Sequence, residues 1–403
     1  MIQHTNHRRI ALLCMAGMLI AAAQVCTALW RADTEGQDIY FAWVEGRRLL
    51  AGENPYERVL SGDMRKNAKY ATYFPIFYEF SAVTQAMGLR QYPDWIAVWR
   101  LVFMFFYLGV ACVLFSVLSA RGQPLAGILA AAFWLFNRWS LGLIRGAHLD
   151  FIPIFLLLLS LGIYARHRRA SLLLYGMSLG FKQIAIFLAP LYLIRVWREA
   201  AGSTDTPGQD ARASRARASV PLPETPITDS AVSSSSRGSP RRSGSGRIQP
   251  VLAAGVLIIL IPLATSIPFL VWNAEGYVRS ILFSVTRSPD DHFGIGSLDS
   301  LLGWSGFPAR LPMLSIMLLV YALFARGRIG MLTGALLVMA IFVDFNSVLF
   351  PQYVLWIVPL IPLIICDTLE SSHPGKPSAR AEGTTPSTRA RGTRSTDSPE
   401  SHA

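Results

Sequence analysis

The sequence predicts an all-α polytopic membrane protein, and three observations carry that prediction. Of the 403 residues, 52% are hydrophobic and only 15% are charged. The apolar residues gather in long runs, more than the core of a soluble domain of this size hides. The basic residues, which bring the formal net charge to +12, concentrate in the short connections between the runs. A helix satisfies its own backbone hydrogen bonds where no water is present, and about 20 apolar residues suffice to cross the hydrocarbon layer.

In chain order the predicted spans are Ile10 to Trp30, Ile96 to Leu118, Leu125 to Leu143, Phe151 to Tyr164, Leu172 to Val196, Val251 to Trp272, Leu311 to Ala325, Met331 to Val343 and Val354 to Cys366. Three of them are short, so the expected architecture is a bundle of about nine or ten transmembrane or re-entrant helices. The first run follows Arg8-Arg9 and reaches Trp30-Arg31 without a small-residue cleavage site, so it reads as a retained anchor rather than a secretory signal.

Charge sorts the connections by side. Arg121, the Arg166-His167-Arg168-Arg169 cluster, and Arg326 with Arg328 become cytoplasmic if the N-terminus is cytoplasmic. The segments Arg31–Trp95, Asn137–Asp150 and Asn273–Arg310 then face outward. The expected location is thus the cell membrane, multi-pass, with the N-terminus, the linker and the C-terminal tail in the cytoplasm. Sorting of this kind explains the basic balance without a nucleic-acid partner. Leu172 to Val196 has basic flanks at both ends, which one crossing cannot reconcile. Two shorter helices broken near Gly180-Phe181-Lys182-Gln183 would enter and return on one side, placing Lys182 at membrane depth, where an ionisable group faces a partner or an aqueous cavity.

The chain divides into an N-terminal membrane half (1–200) carrying the outer loop 31–95, a linker (201–249), a C-terminal membrane half (250–367) and a tail (368–403). The linker holds seven arginines and four acids among Ser, Pro and Ala, and such a composition is expected to stay disordered. Its arginines offer an alternative role against an anionic leaflet. The tail, with alternating Ser, Thr, Pro and Arg, is expected to be disordered too. In the outer loop, Ile39, Tyr40, Trp43, Val44 and Leu49-Leu50 recur at helical spacing and predict an amphipathic helix along the membrane surface. Phe80 to Met87 is expected to dip into the interface.

Cys14, Cys26, Cys112 and Cys366 lie in apolar runs without metal-ligand spacing or a disulfide framework, and read as small buried side chains. His148 with Asp150, and Asp290-Asp291-His292, match no fixed metal spacing. No metal and no organic cofactor is expected.

The polar groups on the outward side are those that transfer from a lipid-linked phosphosugar demands: a base for the acceptor hydroxyl, cations for the departing phosphate and an apolar groove for the lipid. Asp38, just after the first span, is the candidate base, although an acid there also favours a helix N-terminus electrostatically. Lys182, His148, Arg145 and Arg287 are the candidate phosphate-binding cations. Arg145 could equally snorkel, and His148 could end a helix.

At these residues the chain resembles the polyprenyl-phosphate-dependent glycosyltransferases of the GT-C fold, most closely glycosyltransferase family 87, the mannosyltransferase-like group. The likeness rests on Asp38-Ile39-Tyr40 with Leu50-Ala51-Gly52-Glu53-Asn54-Pro55-Tyr56, on Tyr73-Phe74-Pro75, on Gly180-Phe181-Lys182-Gln183 with Pro190, and on Gln352-Tyr353-Val354-Leu355-Trp356 with Pro359. These occur in the family's order over residues 10–366 apart from the linker. The sequence departs at Phe74-Pro75, where relatives often have two prolines, and at Gln183, where a proline commonly follows the lysine.

The resemblance implies a GT-C-like bundle and inverting transfer of a hexose, often mannose, from a polyprenyl-phosphate sugar to a lipid or glycan acceptor on the extracytoplasmic face. It assigns Asp38 as general base and Lys182 as the basic position of the central helix pair, with Tyr40 and Tyr353, inside the same motifs, as substrate-binding positions. The expected partners are that donor, that acceptor and membrane lipids. The competing reading is a transporter or lipid flippase, which also uses a midplane lysine at a broken helix. A third is a non-catalytic membrane scaffold.

Overall fold

A computed structural model describes residues 2–30, 33–60, 71–202, 245–286, 298–304, 307–346 and 350–371. The regular elements among these residues are all helical. Four helices are long and apolar enough to cross a membrane: Arg9–Leu29, Tyr92–Ala120, Ile248–Phe283 and Pro351–Leu369. A bent pair, Pro124–Phe136 with Arg138–Arg145, makes a fifth if counted as one span, and three shorter apolar helices complete the set. Of the nine or ten transmembrane or re-entrant helices expected, four or five have the length of a full crossing. A 13-residue helix such as Phe151–Ile163 is about 20 Å long, short of the roughly 30 Å hydrocarbon layer.

Helix α1 (Ile2–Leu29) leads to α2 (Asp38–Leu50), which lies where the amphipathic outer-loop helix was expected. Gly52, with φ of +78°, ends that helix, and its N–H and that of Glu53 close onto the carbonyls of Leu49 and Arg48. Helix α3 (Ile76–Ala86) packs on α2 through Gly46. A methyl group there would sit 2.7 Å from Ser81 Cβ and 2.9 Å from the Ala82 nitrogen.

The longest uninterrupted apolar helix, α4 (Tyr92–Ala120), carries the core. Trp95, Trp99, Phe103, Tyr107, Val110, Leu114 and Leu118 recur every three or four residues on one face and are all buried. Phe105 and Leu101 on another face remain 67% and 51% exposed. A soluble fold would not leave such side chains bare along a whole helix, whereas lipid accommodates them.

The span expected from Leu125 to Leu143 is two helices, α5 (Pro124–Phe136) and α6 (Arg138–Arg145), bent by 47°. The cause is Asn137, whose backbone is extended (φ −77°, ψ 152°) and whose side chain accepts the N–H groups of Trp139 and Ser140. Helix α7 (Phe151–Ile163) follows, then α8 (Arg168–Phe181). At Lys182 the backbone is extended (φ −154°, ψ 124°) and a 3-10 turn (Gln183–Leu188) leads into α9 (Ala189–Gly202).

The chain thus turns back at the expected break. Arg168 at the start of α8 lies 3.7 Å from Glu199 near the end of α9, and Tyr175 stacks on Tyr192 at 4.3 Å.

Helix α10 (Ser245–Thr286) packs against α8 where Gly176 meets the carbonyl oxygen of Ile258, a close approach that only a small residue permits. It breaks at Asn273 (φ −156°, ψ 91°). The remaining helices are α11 (Leu298–Leu301), α12 (Arg310–Ala325), α13 (Met331–Phe345), α14 (Pro351–Leu355) and α15 (Leu360–Ser371). Most of the linker and tail lies outside the described residues. At their margins, α9 runs to 202, α10 begins at 245 and α15 ends at 371, inside the bounds expected for disorder.

The bundle has two chemically distinct ends. At the first, Tyr92 at the start of α4 meets Tyr40 of α2 edge to face at 5.0 Å. At the second, about 43 Å along that helix, Arg121 pairs with Asp367 at 3.1 Å.

Candidate active site at the Asp38 end of the bundle

The stretch that carries Asp38 is pinned through the turn after α2. Asn54 accepts the Tyr56 N–H at 3.0 Å, setting a turn at Asn54-Pro55-Tyr56. Tyr56 is then fully buried against Phe269 and Tyr277 of α10, and its hydroxyl donates to the Tyr73 carbonyl at 2.7 Å. Gly276 allows this approach, since a methyl group there would stand 2.8 Å from the Tyr56 oxygen. Glu45, itself buried, pairs with the half-buried Arg58 at 2.7 Å. Burial holds the Glu45 carboxyl above its ordinary range, with Arg58 opposing.

Asp38 occupies the first turn of α2, where the helix dipole favours a carboxylate. The preceding Gln37 is the cap position and makes no side-chain cap bond. The Asp38 carboxylate instead accepts from the Tyr73 hydroxyl at 3.3 Å and from the Gln352 amide at 3.5 Å, reaching to α14. Burial, and next the negative charge of Asp38, push the Tyr73 hydroxyl well above its ordinary range, so it stays a proton donor to that carboxylate.

Beyond Tyr73 lies a buried ion pair. Lys182 Nζ contacts both Asp150 oxygens, at 2.6 and 2.7 Å, and the side chains are 3% and 1% exposed. The Trp356 indole donates to the same carboxylate at 2.8 Å. The ammonium stands 5.3 Å from the Tyr73 ring centre and 6.0 Å from that of Tyr353. Gln183 donates to the Thr72 carbonyl at 2.6 Å, tying the broken helix to the stretch before α3. Four segments far apart in sequence, around Asp38, Tyr73, Lys182 and Gln352-Tyr353, therefore meet at one place.

Arg145 and His148, with Asp33, Gln37 and two glycines, line a cavity of about 480 Å³; Asp38 is not among its lining residues, although Gln37 directly precedes it. Between Arg145 and His148, Ala147 is buried with φ of +52°, a left-handed conformation that costs an L-residue about 1–2 kcal/mol. This turn leaves Arg145 exposed and His148 half-buried while Asp150 enters the core.

Of the other expected positions, Tyr40 stands about 200° round α2 from Asp38, packed against Trp43 and Tyr92. It belongs to the aromatic packing beneath the helix rather than to the Lys182 cluster. Arg287 and Asp290-Asp291-His292 lie outside the described residues. The pairing of Asp150 with Lys182 was not foreseen, although an acid directly before an apolar helix signals a need for a countercharge. Among the described residues no three of His, Cys, Asp and Glu are grouped so as to hold a metal.

The chain matches no protein-family model and no curated protein sequence.

Proposed function

We propose that this protein is a membrane-embedded glycosyltransferase that moves a hexose, mannose by resemblance, from a polyprenyl-phosphate sugar to an alcohol of a lipid or glycan acceptor on the outer face. The observation that carries the reading is the convergence of Asp38, Tyr73 and Gln352, with Gln37, the residue before Asp38, lining a cavity that bears Arg145 and His148.

In this mechanism Asp38 removes the acceptor hydroxyl proton as the oxygen attacks the anomeric carbon. The bond from that carbon to the phosphate oxygen breaks, and the electron pair leaves with the lipid phosphate. Attack opposite the leaving group inverts the configuration. Tyr73 and Gln352 orient the carboxylate, and Arg145 and His148 stabilise the phosphate charge from the neighbouring cavity. Lys182, neutralised by Asp150, holds the broken helix and the Tyr73 ring in place rather than meeting the phosphate directly. No metal or organic cofactor enters any step.

The test is incubation of purified protein in lipid nanodiscs with polyprenyl-phosphate mannose, glucose or arabinose and a membrane-lipid acceptor extract, read by mass spectrometry for a new glycosidic product. Asp38→Asn is expected to lower turnover by about 10²–10⁴ while the protein remains folded and inserted. Turnover equal to that of the native chain would overturn the assignment.

A buried ion pair at a helix break is also what a transporter or flippase uses at its substrate path, and the Lys182–Asp150 pair favours that as the second reading. It predicts movement of the lipid-linked sugar between leaflets of sealed vesicles with no new bond formed.

A further inference from the structure

At the end of the bundle opposite Asp38, a cavity of about 2130 Å³ opens between α4, α7, α9, the turn before α13 and α15. Five arginines line it, Arg121, Arg166, Arg195, Arg198 and Arg328, against two acids, Glu199 and Asp367. Three of the five are held by the protein: Arg121 by Asp367, Arg195 by Glu199 and by stacking on Tyr164 at 3.8 Å, and Arg198 by the Phe324 carbonyl at 3.0 Å. Arg166 and Arg328 are exposed and make no ion pair among the described residues.

Below this basic mouth the walls are apolar, formed by Val113, Val117, Phe155 and Leu158. The lining reaches Phe105, 67% exposed on the outer face of α4. From Arg121 to Phe105 the groove runs about 24 Å along the helix, more than the roughly 15 Å depth of one leaflet's hydrocarbon.

We infer that this groove binds an anionic phospholipid of the leaflet on the arginine side, with its phosphate at Arg166 and Arg328 and an acyl chain along the α4–α7 wall. A soluble anion would use the arginines but none of the apolar trough that continues from them alongside the hydrocarbon layer. The chain's own linker is no better an occupant, because it carries seven arginines against four acids and would meet like charge. The arginines and the trough together suit a molecule with an anionic head and a long apolar tail. The inference is independent of the chemistry at Asp38.

The test uses the full-length protein in detergent supplemented with equal amounts of phosphatidylglycerol and phosphatidylcholine, with retained lipid read by native mass spectrometry. Phosphatidylglycerol should be retained preferentially. Each arginine near an anionic headgroup strengthens attachment by about fivefold, so R166Q/R328Q should reduce phosphatidylglycerol retention by at least about tenfold and leave phosphatidylcholine unchanged. Both positions are exposed, so the double variant should fold. Val113→Trp, which fills the trough, should also lower retention. Equal retention of the two lipids, or an unchanged R166Q/R328Q variant, would overturn the inference. So would unchanged retention by Val113→Trp, which would place the lipid on a surface patch, or displacement by millimolar inorganic phosphate, which would assign the arginines to a soluble anion.

Discussion

Replacing Asp150 by asparagine isolates the ion pair that holds the broken helix. Lys182 and Asp150 are 3% and 1% exposed, and both carboxylate oxygens lie within 2.7 Å of the ammonium. Asparagine keeps the shape and still offers an oxygen to the Trp356 indole, which donates to Asp150 at 2.8 Å. What is lost is the charge, leaving an ammonium buried without a countercharge. Removing one partner of a buried pair costs about 3–5 kcal/mol. At about 2 °C per kcal/mol for a large chain, the melting midpoint should fall by about 6–10 °C. The assay is thermal unfolding in detergent followed by tryptophan fluorescence, with Trp356 reporting beside the lesion. Adding Lys182→Met removes the stranded charge, so D150N/K182M should recover half or more of the loss. A D150N midpoint within about 1 °C of the native value, or a further fall in the double variant, would refute the reasoning.

Three further outcomes follow from α2 and the bend after α5. Gly46→Ala places a methyl group against Ser81 and 2.9 Å from the Ala82 nitrogen; it should cost about 1–3 kcal/mol, seen as faster hydrogen exchange in both α2 and α3. The folded pKa of Glu45 is raised by burial, so its contribution to stability is complete below its unfolded value and is lost as pH rises through the raised folded value. Glu45→Gln should therefore flatten the fall in melting temperature between mildly acidic and neutral pH, and an unchanged slope would show that Glu45 does not set it. Asn137→Ala removes the acceptor for the Trp139 and Ser140 N–H groups at a cost of about 1 kcal/mol, and those two amides should lose exchange protection first.

The run lengths foretold the class of the protein better than the lengths of its individual helices. Hydropathy reports that residues such as Phe151 to Tyr164 are apolar, but not whether 13 helical residues traverse a bilayer or pack as a short segment inside the bundle. The bend at Asn137 was missed because its neighbours on both sides are apolar, so composition joins two helices that a side-chain cap separates. The break at Lys182 was legible because two basic flanks could not both lie on the cytoplasmic side of a single crossing.

Within the site, Asp38, Lys182 and Tyr353 were visible as polar or aromatic residues in suggestive contexts. The periodicity of α2 also carried a warning about Tyr40: two residues from Asp38 on a helix is nearly the opposite face, and Tyr40 packs there on Trp43 and Tyr92.

The amino-acid order alone determined that the chain is helical, that its apolar runs suit a membrane, and that an acid follows the first run. These are local properties, set by hydrophobicity, backbone hydrogen bonding and charge over a few turns. Only the tertiary structure decided that Asp150 neutralises Lys182, that Tyr73 and Gln352 hold Asp38, and that arginines from separate connections share one cavity. Those pairings join residues up to 314 positions apart. They depend on how helices cross and where small residues such as Gly46, Gly176 and Gly276 let backbones approach, which no local pattern specifies.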